Sequence, residues 1–197
     1  MSKKIIDLSS YQSNIDWRKV TAEGVIIKAG EANFADSCLV THSNNASAND
    51  KHLSYYYFAH PYNSPSVAIH AENAADFFYN LIKDLEAPSF DCALDIEINP
   101  NSLTPSEMEE WILAFIAKMG TYSISMMIYG SPYFLDNNLP DGHSLGTIPL
   151  WLSEYNGLDH PSVYPKGWTE CLLWQFSDKE VDGGLNVDCS MGSDNLY

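Results

Sequence analysis

Short apolar runs alternate with longer segments of helical periodicity along the first two thirds of the chain. The apolar runs have the length and composition of β-strands and end at polar or turn-forming residues. They lie at residues 4–8, 25–29, 53–61, 93–100 and 123–129. Apolar residues recur with a helical period at residues 39–51, 66–84 and 104–119. The last of these is the clearest helix, because Thr104 and Glu107 can form a capping box around a proline.

The alternation of predicted strands and helices ends after Gly130. At most a short helix fits residues 132–136, and apolar runs at 149–155, 171–177 and 185–189 follow without convincing helices between them. Repeated β/α units imply a parallel sheet with right-handed crossovers, and eight candidate strands suggest closure into a barrel. The 197 residues are fewer than the ~250 of a regular eightfold β/α barrel, which fits the loss of the late helices.

The composition indicates one domain spanning residues 1–197. A hydrophobic content of 45% can supply a substantial core. The formal net charge of −16 argues against nucleic-acid binding, which needs a basic face, and against adhesion to anionic membranes. We expect a monomer that binds no nucleic acid and does not insert into membranes.

The cysteines and histidines show none of the spacings that indicate a metal site. Cys38, Cys92, Cys171 and Cys189 include no CxxC pair, so we expect free thiols. The six histidines form no HExxH motif, so we expect neither a metal nor another cofactor. The apolar run near the N-terminus ends at Asp7 and is too short for a signal-peptide core, which predicts synthesis in the cytoplasm.

Two acids separated by one residue, Asp95 and Glu97, interrupt the apolar run at residues 93–100. Side chains alternate across a strand, so both carboxylates are expected on one face. A like charge and apolar neighbours raise the pKa of one acid, which makes it a candidate proton donor beside an ionised partner. Glycoside hydrolysis uses such a pair. The alternative is that both acids lie on the solvated face of an antiparallel strand.

In a β/α barrel the functional face lies at the C-terminal ends of the strands, where Asp95 and Glu97 would be joined by Asp7 and Asp188. The first and last strands of a closed barrel are neighbours, so Asp7 and Asp188 should lie side by side. Either one alone could be a loop cap or a surface charge. Aromatic and amide side chains that could form a carbohydrate groove fall at the same strand ends: Tyr56, Phe58, Tyr62, Tyr129, Trp151, Tyr155 and Gln175.

With these motifs the sequence resembles the family 25 glycoside hydrolases, the Chalaropsis-type lysozymes found among phage endolysins and bacterial autolysins. The matching segments cover nearly the whole chain in order. They are IDLSSYQ with IDW (residues 6–17), VIIKAGE (25–31), YYFA (56–59), LDIE (94–97), IYGSPYF (128–134), PLWLSEY (149–155), LWQFS (173–177) and NVDCS (186–190).

The resemblance implies an irregular TIM-like barrel of five β/α units followed by three β-strands with few helices. It also implies cleavage of the β-1,4 bond between N-acetylmuramic acid and N-acetylglucosamine in peptidoglycan glycan strands, after release of the enzyme to the cell wall. Glu97 matches the general acid, Asp95 its partner, and Asp7 and Asp188 two further active-site acids. Asp95 would either attack the anomeric carbon or orient the 2-acetamido group of the substrate.

Two other functions stay open at the level of sequence. A chitinase-like hydrolase of N-acetylglucosamine polymers places a similar acid pair on its fourth strand. A glycan-binding module on the same barrel could lack catalysis altogether, although the presence of all four acids argues against it.

Overall fold

The computed structural model describes residues 3–193 and 196–197. Over these residues the chain forms nine strands and four α-helices. The strands are β1 (Lys3–Leu8), β2 (Gly24–Glu31), β3 (Phe34–Ala35), β4 (His52–Phe58), β5 (Cys92–Asp95), β6 (Met126–Gly130), β7 (Leu150–Ser153), β8 (Leu173–Asp182) and β9 (Leu185–Gly192). The α-helices are α1 (Leu39–Ala48), α2 (Val67–Ile82), α3 (Pro105–Thr121) and α4 (Pro132–Asn138).

Eight of the nine described strands close into a barrel, which confirms the predicted fold class. The order of strands around the barrel is β1, β2, β4, β5, β6, β7, β8 and β9, which pairs again with β1. The short strand β3 lies outside this ring and pairs with the C-terminal end of β2. Neighbours from β1 to β8 are parallel. The last strand, β9, is antiparallel to both β8 and β1.

The apolar side chains divide into a core outside the barrel and a smaller one within it. Outside, α2 and α3 pack together and bury Phe78, Trp111 and Phe115 completely. Inside, Ile5, Ile26, Ala93, Met127 and Leu173 fill the barrel below its mouth. The interior of the barrel is therefore filled with packed side chains and forms no open channel.

The capping signals in the sequence set the helix starts. Thr104 and Glu107 form the predicted capping box at α3, with Pro105 as the first helical residue. Ser66 caps α2 by accepting a hydrogen bond from the amide of Ile69. The connection after β1 holds two 3-10 turns, Ser10–Gln12 and Trp17–Lys19, instead of an α-helix.

Four predicted strands are shorter in the structure than in the sequence pattern. The strand predicted at residues 53–61 ends at Phe58, and the one predicted at residues 149–155 covers only Leu150–Ser153. The strand predicted at residues 93–100 ends at Asp95, because β4 and β6 beside it end at Phe58 and Gly130, and the last of its amides to bond to a neighbouring strand is that of Ile96, which donates to Tyr129. The strand predicted at residues 123–129 begins only at Met126, because Ser123 adopts a left-handed backbone with φ of 61°. The helix predicted at residues 39–51 ends at Ala48.

All four cysteines are free thiols in the structure. Among the described residues, no helix has both the length and the apolar character needed to cross a membrane.

Candidate active site

A polar pocket with a volume of ~400 Å³ opens at the mouth of the barrel, where the parallel strands end. All four predicted acids line it. The lining residues are Asp7, Ser9, Tyr11, Gln12, Lys28, Glu31, Tyr56, Phe58, Asp95, Glu97, Tyr129, Trp151, Gln175 and Asp188.

Closure of the barrel places Asp7 of β1 directly opposite Asp188 of β9 in the antiparallel ladder. The side-by-side arrangement expected from sequence is confirmed. The expectation that Asp188 lies at the C-terminal end of its strand is wrong, because β9 runs antiparallel and starts at the mouth. Asp188 reaches the pocket from the first half of the strand.

The acid pair on β5 lies on one face, as the alternation of the strand predicted. Asp95 is the last residue of β5 and Glu97 follows in the loop, and both line the pocket. Ile96 between them is fully buried in the outer core. Asp95 is only 5% exposed, whereas Glu97 is exposed to solvent. The two carboxyls therefore differ in depth, and Glu97 is the one a ligand can reach first.

Gln175 of β8 connects the acids to two tyrosines. Its Nε2 donates a hydrogen bond of 2.9 Å to Oδ2 of Asp7. Its Oε1 accepts hydrogen bonds from the hydroxyls of Tyr129 at 2.7 Å and Tyr155 at 2.6 Å. Gln175 is buried, so these hydrogen bonds hold Asp7 and both rings in a fixed arrangement.

Burial raises the pKa values of both deep acids. The pKa of Asp7 rises to about 8, first because of burial and then because of the charge of Asp188, although the hydrogen bond from Gln175 opposes the shift. The pKa of Asp95 lies well above its ordinary value, again because of burial and then because of the charge of Glu97. Oδ1 of Asp95 is buried and has no hydrogen-bond partner among the described residues. Both carboxyls therefore hold a proton more readily than an exposed aspartate does.

The pKa of the candidate acid, Glu97, is also raised, as expected from sequence. The expectation that its partner in the pair keeps a low pKa and stays ionised is wrong, because Asp95 is buried and its pKa is raised as well. The larger cause at Glu97 is desolvation at the pocket, and repulsion from Asp188 and Glu31 adds to it. Lys28 opposes the shift. Its Nζ lies 2.7 Å from Oε2 of Glu31, so the cation is already paired within the pocket. The pKa of Asp188 is raised by burial and by the nearby charge of Asp178.

Most of the predicted groove residues surround these acids. Tyr56, Phe58, Tyr129, Trp151 and Gln175 line the pocket. The ring of Trp151 packs edge-on against Tyr56 and Tyr129, with centroid distances of 6.3 and 4.6 Å, and its Nε1 donates to Oγ of Ser190. Tyr129 and Trp151 are 8% and 2% exposed, so they form the floor of the pocket and leave little ring surface for a sugar.

Two predicted groove residues lie elsewhere. Tyr155 is half-exposed beside the pocket and joins it through its hydrogen bond to Gln175. Tyr62 lies in a separate groove with His60 and Asn101, where its ring packs edge-on against His70. The strand β4 ends at Phe58, so Tyr62 lies four residues beyond it and is not positioned by the barrel.

Sequence reasoning missed several residues of the pocket wall, namely Ser9, Tyr11, Gln12, Lys28 and Glu31. Ser9, Tyr11 and Gln12 belong to the 3-10 turn after β1, and Ser9 and Gln12 form a capping box there. The matched SSYQ and KAGE segments were the available signal, since each directly follows or ends a barrel strand. Within the described parts of the chain, no group of three or more His, Cys, Asp or Glu residues has the arrangement of a metal site.

Comparison with known proteins identifies a family. The sequence model described as Glycosyl hydrolases family 25 matches residues 6–185. No curated protein sequence matches the chain.

Several solved structures share the fold. The spore cortex lytic enzyme SleM of Clostridium perfringens is 21% identical with a TM-score of 0.86, and the match covers 99% of this chain and 68% of that one. A bacterial lysozyme from Streptomyces coelicolor is 24% identical with a TM-score of 0.83, covering 98% and 93% of the two chains. A muramidase from Trichobolus zukalii is 25% identical with a TM-score of 0.82, covering 98% and 95%.

Proposed function

This chain belongs to glycosyl hydrolase family 25, and from that premise we propose that it is a peptidoglycan hydrolase that cleaves the β-1,4 bond between N-acetylmuramic acid and N-acetylglucosamine. The observation that carries the assignment is the difference in depth within the acid cluster. An exposed glutamate with a raised pKa, Glu97, stands at the pocket above a buried aspartate, Asp95. Glycoside hydrolysis needs a protonated acid at the leaving oxygen and a second carboxyl below the anomeric carbon.

Glu97 acts as the general acid in this proposal. A raised pKa favours the protonated carboxyl that a general acid needs, and its exposure lets the proton reach the glycosidic oxygen. As the leaving group departs, Glu97 becomes a carboxylate, and Lys28 stabilises this charged state because it lowers the pKa of Glu97. Water then attacks the anomeric carbon from the face that the leaving group has left, breaks the bond that the acetamido oxygen has formed there, and gives a proton to the Glu97 carboxylate.

Asp95 orients the 2-acetamido group of the substrate. Burial and then the charge of Glu97 raise the pKa of Asp95, which favours the protonated carboxyl, and a protonated carboxyl is a poor nucleophile. Its Oδ1 has no partner among the described residues and can form a hydrogen bond with the acetamido group. The carbonyl oxygen of that group would then attack the anomeric carbon in place of Asp95. Asp7 and Asp188 hold the cluster in register and tune its charge.

Mass spectrometry of muropeptides released from purified peptidoglycan tests the function. The expected products carry new reducing ends on N-acetylmuramic acid. New reducing ends on N-acetylglucosamine, or turnover of chitin with none of peptidoglycan, would show that the assigned bond is wrong. Absence of turnover on every wall tested would favour the glycan-binding module.

We also propose that the protein acts as a monomer and that it works on the bacterial wall after release from the cytoplasm. Its exposed apolar side chains lie on separate elements, for example Phe34 on β3, Leu113 on α3 and Val181 on β8, as is normal for a monomer surface. Sedimentation equilibrium tests the first proposal, and fractionation of producing cells tests the second.

A further inference from the structure

A second cleft, with a volume of ~260 Å³, adjoins the acid pocket. Tyr11, Lys28 and Glu31 line both cavities, so the two lie side by side and share these residues as a common wall. The cleft lies between the 3-10 turn that follows β1 and the hairpin formed by β2 and β3. Its remaining lining residues are Ser10, Phe34, Ala35, Asp36 and Ser37.

Two aromatic rings line this cleft and are almost fully exposed. Tyr11 is 90% exposed and Phe34 is 71% exposed. Exposed rings of this size lose contact with water at little conformational cost when they pack against a ligand, because each has only two rotatable side-chain bonds. They therefore offer stacking surface in a way that the buried Tyr129 and Trp151 cannot.

The backbone holds both rings in place. The amide of Ser10 donates a hydrogen bond of 3.0 Å to Oδ2 of Asp36, which ties the turn to the segment after β3. At the hairpin, the amide of Ala32 donates to the carbonyl oxygen of Phe58, and the hydroxyl of Tyr57 donates to the carbonyl oxygen of Ala32 at 2.5 Å. A Cβ at Gly30 would lie 2.6 Å from the carbonyl oxygen of Phe34, so the tight hairpin requires glycine there.

The charged groups of the cleft are already paired. Lys28 lies 2.7 Å from Glu31, and the two carboxylate oxygens of Asp36 accept hydrogen bonds from the amides of Ser10 and Cys38. A cleft with aromatic walls and a paired polar floor suits an uncharged polyhydroxylated ring, which packs its apolar face on the aromatic side chains and exchanges hydrogen bonds with the floor.

We propose that Tyr11 and Phe34 form a distal sugar-binding subsite that holds the next sugar ring of the same glycan strand beyond the acid pocket. The inference rests on the proposed function, because the occupant is the continuation of the strand whose bond Glu97 cleaves. Such a subsite makes the enzyme prefer long glycan strands over short fragments.

Cleavage of purified peptidoglycan oligosaccharides of increasing length tests the subsite. For the wild type, kcat/KM should rise with strand length until the cleft is filled. Phe34→Ala should reduce the ratio of kcat/KM for long strands to that for short strands by about fivefold, as expected from the loss of one aromatic packing surface. Tyr11→Ala should reduce it as well.

Conservative variants separate stacking from general apolar contact. Phe34→Tyr keeps the ring and should keep the wild-type ratio, whereas Phe34→Leu keeps apolar bulk and should lose it. Tyr133→Ala removes a tyrosine that is 82% exposed on α4 and lines neither cavity, so its ratio should match that of the wild type.

The same long and short oligosaccharides can be titrated calorimetrically into Glu97→Gln and into the double variant with Phe34→Ala. The double variant should bind the long strand about fivefold more weakly. Two results would overturn the subsite and leave the proposed function intact. One is a wild type that cleaves peptidoglycan without any preference for strand length. The other is an equal ratio of kcat/KM for long and short strands in the wild type, Phe34→Ala and Tyr11→Ala. A wild type that turns over no peptidoglycan would instead overturn the function and the subsite with it.

Discussion

Asp7 and Asp188 stand directly opposite each other on two antiparallel strands of the barrel, and the charge of Asp188 raises the pKa of Asp7. Like charges in opposing positions of a ladder destabilise a sheet. The hydrogen bond that Gln175 donates to Asp7 offsets this repulsion only in part, since the pKa of Asp7 still rises to about 8. The pair therefore costs folding stability at neutral pH, which is typical of acids that are kept for function.

This cost predicts how Asp7→Asn changes stability with pH. The pKa of Asp7 is about 8 in the folded protein against 3.8 for the reference aspartate, so the unfolded chain releases its proton first. The contribution of Asp7 to the free energy of unfolding is therefore fully present below pH ~4 and is lost as the pH rises towards 8. Asparagine has no proton to release, so the melting temperature of the variant should lie ~2 to 8 °C above that of the wild type at pH 8. This shift corresponds to ~1 to 2 kcal/mol in the free energy of unfolding. At pH 4 the two proteins should melt at the same temperature.

Thermal melts of both proteins between pH 4 and 8 at one ionic strength would check this difference. Asp84→Asn changes an exposed aspartate after α2 and serves as the control, with no pH-dependent gain expected. A gain for Asp7→Asn that stays constant with pH, or that is larger at pH 4, would contradict the assigned titration.

The cluster of acids could be predicted from sequence because closure of a barrel fixes which strands are neighbours. That rule alone brings Asp7 to Asp188 without any knowledge of side-chain packing. The alternation of a strand likewise placed Asp95 and Glu97 on one face. Both arguments depend only on backbone geometry, which local apolar patterns reveal well.

Features that depend on neighbouring segments could not be predicted in this way. Glu97 lies beyond its strand because β4 and β6 end early, and the pattern within residues 93–100 carries no information about their ends. The direction of β9 depends on the hairpin with β8. The hydrogen bonds that make Gln175 central come from β1, β6 and the segment after β7, three parts of the chain far apart in sequence.

The general-acid role of Glu97 predicts that Glu97→Gln abolishes most activity without loss of the fold. The amide keeps the shape of the carboxyl but cannot donate the proton, so release of reducing ends from peptidoglycan should fall by about 10² to 10⁴-fold. The melting temperature should change little, since Glu97 is exposed. Glu72→Gln alters an exposed glutamate on α2 and should retain wild-type turnover, whereas near-normal turnover by Glu97→Gln would remove Glu97 from the mechanism.

The thiols should differ sharply in reactivity with an aromatic disulfide reagent at pH 8. Burial raises the pKa of Cys92, Cys171 and Cys189 to about 11, so little reactive thiolate is present at those positions. Cys38 is half-buried before α1, and we expect it to be the one thiol that reacts quickly in the folded protein.

Denaturation without a reductant should release all four thiols, and Cys38→Ser should remove the fast reaction alone. Fewer than four thiols after denaturation would reveal a disulfide. A fast reaction that survives in Cys38→Ser would assign it to another cysteine.

The last prediction uses the two charges that act on Glu97 in opposite directions. Asp188 raises its pKa and Lys28 lowers it. The general acid must be protonated, so the alkaline limb of the kcat profile follows the pKa of the acid in the complex with substrate.

Asp188→Asn removes a negative charge and should move this limb to lower pH. Lys28→Met removes a positive charge together with its ion pair to Glu31, so it should move the limb to higher pH. Profiles measured with a soluble oligosaccharide at saturation and at low, fixed ionic strength would reveal both shifts, and added salt should weaken them only partly because the pocket restricts access of ions. The direction of each shift is the informative result. If neither limb moves, the charges of Asp188 and Lys28 do not act on Glu97. If both limbs move in the same direction, the substitutions disturb the site as a whole instead of changing the charge that Glu97 experiences.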